Sequence, residues 1–149
     1  MLKVNPGLGL HLQLCFNMPY ICPKCDRELI NEHQSHYCAK VSLDDLFKGK
    51  SDELLLLFDK LLAEVADWPD VLVGTTPNCI TFVHRQTFFV IRPMQKQLDL
   101  KFYSVKPIEI PQIKTIATAG RYQNSIRLSS TNELRPQLFG WIRDSYDLL

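Results

Sequence analysis

Apolar positions recur at two different spacings along this 149-residue chain. One set lies between Ser51 and Trp68 at the three-or-four spacing of an amphipathic helix and comprises Leu54, Leu57, Phe58, Leu61, Leu62 and Val65. Ser51 is a suitable N-cap, and Pro69 ends the pattern. A second set follows Ser130 and Glu133, which have the spacing of a capping box, and comprises Leu134, Leu138, Trp141, Ile142 and Tyr146. The pattern predicts two helices, with Pro136 in the first turn of the second.

Between Val71 and Tyr103 apolar residues alternate with polar ones, which is the period of β-strands. Turn-forming residues at 75–78, 84–86 and 93–96 divide this part into three or four antiparallel strands. Residues 106–120 contain two prolines and no clean period, which predicts a long loop, and residues 125–128 predict a last strand. The expected fold class is therefore α+β, an antiparallel sheet packed against two helices.

The first 17 residues also alternate and predict a strand, with apolar residues at Leu8, Leu10, Leu12, Leu14 and Phe16. Because Met18 follows directly, this N-terminal extension (1–17) is interpreted as either an edge strand or an upstream artefact. Residues 18–41 form the expected metal-binding module. Residues 42–149 form the expected α+β domain, which begins with a connection and one short helical turn before Ser51.

Composition limits the classes of protein that this chain can belong to. It is 46% hydrophobic and 22% charged, which is ordinary for a globular domain. No apolar run approaches the roughly 20 residues that cross a bilayer, so no membrane partner is expected. The five cysteines are an odd number, and three of them share one short segment. This usage favours reduced thiols over a disulfide framework and predicts a cytoplasmic protein.

That short segment contains Cys22 and Cys25, followed by His33, His36 and Cys38. Two thiolates in a C-x-x-C knuckle can bind one Zn²⁺, and a second pair of ligands closes the tetrahedron of a structural site. The spacing allows either histidine to join Cys38 in that second pair. The sequence therefore predicts a structural zinc site and leaves the choice between the two histidines open.

The motifs around this segment resemble DUF5655, a bacterial and archaeal family of unknown function. The similar motifs are Cys22-Pro23-Lys24-Cys25, Gln34-Ser35-His36-Tyr37-Cys38 and Ser42-Leu43-Asp44-Asp45-Leu46-Phe47. The resemblance covers about residues 20–147 and implies a DUF5655-like α+β domain over 42–149. It also implies that His36, and not His33, joins Cys22, Cys25 and Cys38 as a zinc ligand. It brings no established activity.

Charge is distributed unevenly although the net charge is only +1. The charged residues of 42–70 are mainly acidic, whereas in the second half, over residues 84–127, they are mainly basic and interleaved with aromatic residues. Because cations neutralise phosphates and aromatic rings stack on bases, this half predicts a nucleic-acid-binding surface. The candidate residues are Arg85, Arg92, Lys96, Lys101, Arg121, Tyr122 and Arg127. Alternatively, these charges only solvate the outer face of a sheet.

Three functions are compatible with these features. A non-enzymatic module that binds nucleic acid is favoured, and a protein-interaction or homo-oligomerisation module is the alternative. A second alternative is a Mg²⁺-dependent nuclease, because Asp70 after Pro69, together with Asp99 and Lys101, matches the PD…D-x-K pattern of a nuclease superfamily. The sequence points to no catalytic residues outside this short pattern, so a protein without enzymatic activity is the expectation.

Overall fold

The computed structural model describes residues 19–36, 38 and 41–149 of the chain. Two short strands, β1 (Tyr20–Ile21) and β2 (Glu28–Leu29), form an antiparallel hairpin at the start of the described part. The helices α1 (Leu43–Phe47) and α2 (Asp52–Val65) follow. The strand expected within residues 1–17 lies outside the described residues.

Six further strands form one antiparallel sheet with the spatial order β3-β4-β5-β6-β8-β7. Their bounds are β3 (Leu72–Thr75), β4 (Ile80–Val83), β5 (Thr87–Pro93), β6 (Leu98–Ser104), β7 (Lys114–Thr118) and β8 (Arg121–Leu128). A 3₁₀ turn (Thr131–Glu133) and the helix α3 (Pro136–Leu148) complete the chain. The predicted α+β architecture, with two main helices, a sheet and an N-terminal Cys/His segment, is confirmed.

Helix α2 begins and ends where the sequence pattern places it. The Ser51 hydroxyl accepts a hydrogen bond from the backbone N–H of Leu54 at 3.2 Å, which satisfies one free donor of the first turn. Asp52 and Glu53 lie in that turn, where the helix dipole favours negative charge. After the helix, Asp70 adopts a φ of 58°, a left-handed conformation that redirects the chain into β3.

The predicted start of the last helix needs correction. The capping box of Ser130 and Glu133 is formed, but it closes the 3₁₀ turn and not the α-helix. Helix α3 begins at Pro136, directly after Arg135, which has an extended ψ of 152°. Because a proline excludes the helical conformation from the residue before it, the turn and the helix cannot be continuous.

The long loop predicted over residues 106–120 is also wrong in part, because Lys114–Thr118 forms the edge strand β7. A tight turn with left-handed Ala119 (φ 23°) and Gly120 (φ 84°) connects it to β8. Strand β8 therefore begins at Arg121 and not at Ser125. As an edge strand with a mostly exposed pattern, β7 has no clean alternation in its sequence, and pairing with β8 defines it.

The sheet has one buried and one open face. Phe82, Phe89 and Phe102 are in register across β4, β5 and β6 and are fully buried in the main core, with the buried residues of α2 and α3. The Trp141 ring of α3 stacks on Phe102 with ring centroids 6.3 Å apart. The open face includes the residues that alternate with this buried set, namely Leu72, Gly74, Thr81, Val90, Arg92, Asp99, Lys101, Tyr103, Lys114, Ile116, Thr118, Arg121, Gln123, Ser125 and Arg127.

Candidate metal centre

Four side chains from the N-terminal segment converge at one point. One ligand atom each from Cys22, Cys25, His36 and Cys38 lies within 4.8 Å of all the others. The Sγ atoms of Cys22 and Cys38 are 3.7 Å apart. Cys22 and Cys25 are buried, His36 is half-buried and Cys38 is exposed, so the group lies at the edge of the hairpin.

The hairpin turn explains why the first two thiols meet. The backbone N–H of Asp26 donates to the carbonyl of Cys22 at 2.8 Å, and the N–H of Cys22 donates to the carbonyl of Arg27 at 3.0 Å. Asp26 has a φ of 62°, a left-handed conformation that aspartate tolerates better than most residues. The tight turn directs both cysteine side chains to the same side of the backbone.

His36 has the orientation of a metal ligand. Its Nδ1 lies 3.1 Å from the backbone carbonyl oxygen of Gln34, so Nδ1 carries the proton and donates it there. Its Nε2 is buried and has no hydrogen-bond partner among the described residues. A hydrogen bond on one ring nitrogen that leaves the other free for a cation is the usual arrangement of zinc-bound histidines.

His33 does not share this environment. Its side chain is 87% exposed, and its Nε2 lies 4.0 Å from a carboxylate oxygen of Glu32. Both histidines were compatible with the sequence spacing. The structure brings only His36 to the thiols.

The electrostatics of the cluster favour a cation. Backbone N–H groups of Cys25 and Lys24 lower the pKa of Cys22 to about 6, and burial opposes that shift. The pKa of Cys38 is raised, first by its hydrogen bond with Cys22 and then by burial. At neutral pH, Cys22 is therefore a thiolate beside a protonated Cys38. A metal ion that bound here would displace the remaining thiol protons, including that of Cys38, and balance the negative charge of the thiolates.

The donor set of three sulfur atoms and one imidazole nitrogen suits a tetrahedral ion of intermediate softness. Among the described residues, the buried apolar cluster of the hairpin comprises Cys22, Cys25 and Leu29, which are too few to form a core of their own. Segments this small usually need a staple such as a metal ion to stay folded. The four residues could therefore hold a metal ion as a structural centre.

The open face brings together four of the seven residues predicted to bind nucleic acid, namely Arg92, Lys101, Arg121 and Arg127. Asp99 lies between Arg92 and Arg127 in register, and its Oδ1 is 3.9 Å from Nε of Arg127. Tyr103 belongs to the same face, and the Arg121 guanidinium lies 5.0 Å from its ring centroid. The predicted set did not include Tyr103, although strand alternation already placed it beside Lys101.

The other three predicted residues lie elsewhere. Arg85 is in the turn between β4 and β5, where its Nε donates to the Leu149 carbonyl at 3.2 Å. Lys96 is in the turn between β5 and β6. Tyr122 pairs with Ser104 and therefore points to the side opposite the open face. The seven residues predicted to bind nucleic acid are thus divided between the open face, two turns and the opposite face of the sheet.

The two carboxylates of the nuclease pattern are far apart in the sheet. Asp70 precedes β3 at the end of the sheet where Leu72 pairs with Val83. Asp99 lies near the start of β6, at the opposite end and three strands away in the sheet order. At about 4.8 Å per strand, the sheet order alone separates them by about 14 Å. These residues therefore do not form the paired-carboxylate site that binds Mg²⁺ in such enzymes.

Fold and site together define a small α+β domain that carries a Cys₃His cluster, formed by an N-terminal hairpin and the segment that follows it. The chain belongs to the DUF5655 family, described as a domain of unknown function, whose model matches residues 43–149. The cluster residues lie before the matched range. A comparison with curated proteins finds no match, and a comparison with solved structures finds none either. No helix in the described part of the chain is long and apolar enough to cross a membrane.

Proposed function

We propose that this protein binds zinc at Cys22, Cys25, His36 and Cys38 and binds nucleic acid on its open face, without catalysis. The buried Nε2 of His36, which lacks a hydrogen-bond partner among the described residues, carries the metal part of the proposal. Leaving such an atom unsatisfied is costly, and a cation beside the three thiols removes that cost. Zinc fits best because thiolate and imidazole donors in a tetrahedral set are its usual structural ligands.

The cysteines that the structure describes (Cys22, Cys25, Cys38 and Cys79) are free thiols. A thiolate metal site requires reduced cysteines, which a reducing compartment preserves. We therefore assign the protein to the cytoplasm.

Charge on the open face supports the nucleic-acid part of the proposal. Arg92, Lys101, Lys114, Arg121 and Arg127 share that face with a single carboxylate of the described strands, Asp99. Such an excess of cations on a flat surface attracts phosphates, and the Tyr103 ring offers a stacking surface within it. The affinity of a surface of this kind falls steeply as salt rises.

A protein partner or a second copy of this chain is the second candidate, and the edge strand β7 favours it. Ile116 in the middle of that strand is 50% exposed, and the outer edge of β7 pairs with no other described strand. Exposed edge strands with β-branched residues are templates for strand pairing between chains. Gel filtration with light scattering tests this candidate: a native dimer that Ile116→Lys converts to a monomer would support strand pairing between chains, and a native monomer would refute it.

Metal content tests the first part of the proposal. We expect one zinc per native chain by elemental analysis, and loss of that zinc in Cys25→Ser. Cys79→Ser is the matched control, because Cys79 lies outside the cluster, and it should keep the metal. Full zinc stoichiometry in Cys25→Ser would disprove the ligand assignment.

Fluorescence anisotropy with labelled single-stranded DNA, duplex DNA and RNA tests the second part. We expect binding that weakens as salt rises, and a loss of about tenfold or more in Lys101→Glu. Lys60→Glu makes the same charge change on exposed α2 and should bind as the native protein does. Added Mg²⁺ should leave all probes intact. Unshifted probes at low salt would refute a nucleic-acid function, and Mg²⁺-dependent cleavage would refute the non-catalytic assignment.

A further inference from the structure

One contact of the N-terminal hairpin with the main sheet places a side chain against a glycine. Arg27 comes two residues after Cys25, and Gly74 lies in the edge strand β3. A Cβ added to Gly74 would lie 2.9 Å from both Cζ and Nη1 of Arg27 and 3.2 Å from its Nε. The guanidinium therefore occupies the space that a side chain at position 74 would fill. Strands β2 and β3 are also in contact.

The position of the missing Cβ identifies the face of the sheet on which the guanidinium lies. Gly74 pairs with Thr81, and the same row continues through Val90, Lys101 and Ser125, all of which belong to the open face. The Arg27 guanidinium thus lies on the open face, at the β3 end of the row that contains Lys101.

We infer that the metal centre holds Arg27 on the open face and thereby places nucleic-acid binding under the control of the metal. This inference rests on the proposed function, because it adds a residue and a mode of regulation to that same surface. Arg27 becomes a sixth cation of the open face, contributed by the metal-binding hairpin and not by the sheet.

The connection between metal and Arg27 is short and direct. The carbonyl of Arg27 accepts the hydrogen bond from the N–H of Cys22, and one residue separates Arg27 from Cys25. Without a metal, the cluster of Cys22, Cys25 and Leu29 is too small to keep the hairpin ordered. Loss of the metal then frees Arg27 from Gly74 and removes its charge from the open face.

The location of Arg27 suits a phosphate contact. Its guanidinium is paired with no carboxylate of the described residues, so its donors are not committed to an ion pair. Strand β3 lies three strands from β6, about 14 Å at the usual spacing, and this separates Arg27 from Lys101. A nucleic-acid strand that rises about 3.4 Å per nucleotide covers this distance in about four nucleotides.

Two pairs of variants test the inference in the zinc-loaded full chain. Arg27→Ala removes the charge, and Lys24→Ala is its control on an exposed residue of the same hairpin. Gly74→Ala displaces the guanidinium without changing charge or ligands, and Gly140→Ala is its control, because a Cβ there meets nothing within 4 Å. The readouts are anisotropy with labelled single-stranded DNA and amide hydrogen exchange of residues 72–75, each with and without chelator.

We expect chelation to accelerate exchange in residues 72–75 and to weaken DNA binding about three- to tenfold. Arg27→Ala should weaken binding to the same extent and reduce the slope of log affinity against log salt by about 0.7. Gly74→Ala should weaken binding while its zinc content stays native. Both control variants should behave as the native protein.

Unchanged exchange in residues 72–75 after chelation would overturn the inference, and so would equal affinities of Arg27→Ala and Lys24→Ala. Neither result would affect the proposed nucleic-acid function, which depends on binding by the native protein. If the native protein binds no probe, the nucleic-acid function fails. The exchange measurement then still decides whether the metal holds Arg27 against β3.

Discussion

At the residue scale, Ser145 shows how one hydroxyl connects a helix to the sheet. Its Oγ donates to the carbonyl of Phe88 in β5 at 2.6 Å and accepts from the N–H of Tyr103 in β6 at 2.9 Å. These backbone groups lie just beyond the last pair of the β5–β6 ladder, Phe89 with Phe102. The fully buried hydroxyl therefore replaces a ladder hydrogen bond and anchors α3.

Replacement of Ser145 by alanine removes a single hydroxyl group, but we expect it to destabilise the protein strongly. The change leaves a donor and an acceptor unpaired at a buried site, and each unsatisfied group costs about 1–3 kcal/mol. We expect the free energy of unfolding to fall by about 2–4 kcal/mol in urea titration. Ser125→Ala on the open face is the control and should change it by less than about 0.5 kcal/mol. Equal midpoints for the two variants would contradict the bridging role.

At the element scale, the 3₁₀ turn before α3 depends on one carboxylate. A single oxygen of Glu133 accepts from the N–H groups of Ser129 at 2.7 Å and Ser130 at 3.0 Å. These hydrogen bonds, led by that of Ser129, lower the pKa of Glu133. Thr131 also donates its N–H to Glu53 of α2 at 2.9 Å, so the turn connects the two main helices.

The stability contributed by Glu133 should depend on pH in a defined direction. Because the folded-state pKa is lowered, this contribution is present above the ordinary pKa of glutamate and disappears as pH falls through the folded value. Glu133→Gln should unfold at lower urea than the native protein at pH 7, by about 0.5 kcal/mol for a site this exposed. At about pH 3 the difference should be smaller. The same change at exposed Glu109 should have no effect, and a difference that grows with acid would contradict the assignment.

At the scale of the whole molecule, the buried apolar residues that the structure describes form two separate clusters. The main core includes the buried residues of α2, α3 and the six-stranded sheet, and the second cluster is limited to Cys22, Cys25 and Leu29. Contacts between the two parts include those of β2 with β3 and that of Arg27 with Gly74. The main core therefore does not depend on the metal for its own burial.

Metal removal should accordingly leave the domain folded. We expect chelated protein and Cys25→Ser to keep one cooperative thermal transition by circular dichroism, because residues 42–149 retain their core. Trypsin should cleave the chelated protein within residues 19–38 faster than the zinc-loaded protein, since the hairpin loses its staple. Collapse of the main transition on chelation would show that core and hairpin fold as one unit.

Local patterns predicted local structure well. The N-cap and the apolar spacing correctly predicted helix α2, because both depend on residues no more than four positions apart. The motif spacing identified the cysteines for the same reason. The sequence did not predict the edge strand β7, because its mostly exposed residues show no clear alternation of apolar and polar positions. Pairing with β8 defines this strand. The break before α3 was predictable, because Pro136 disfavours a helical conformation at the preceding residue, Arg135.

The sequence by itself determined the α+β class, the cap and period of α2, and the thiol knuckle, since each depends on residues close together in the chain. Tertiary structure alone decided which basic residues share the open face and where Arg27 lies, and it placed beside the thiols the histidine that motif resemblance, but not spacing, had indicated. These outcomes depend on strand register and on contacts between distant segments, such as Arg27 with Gly74. Register sets the face on which each side chain lies, and it is defined only once the strands have paired.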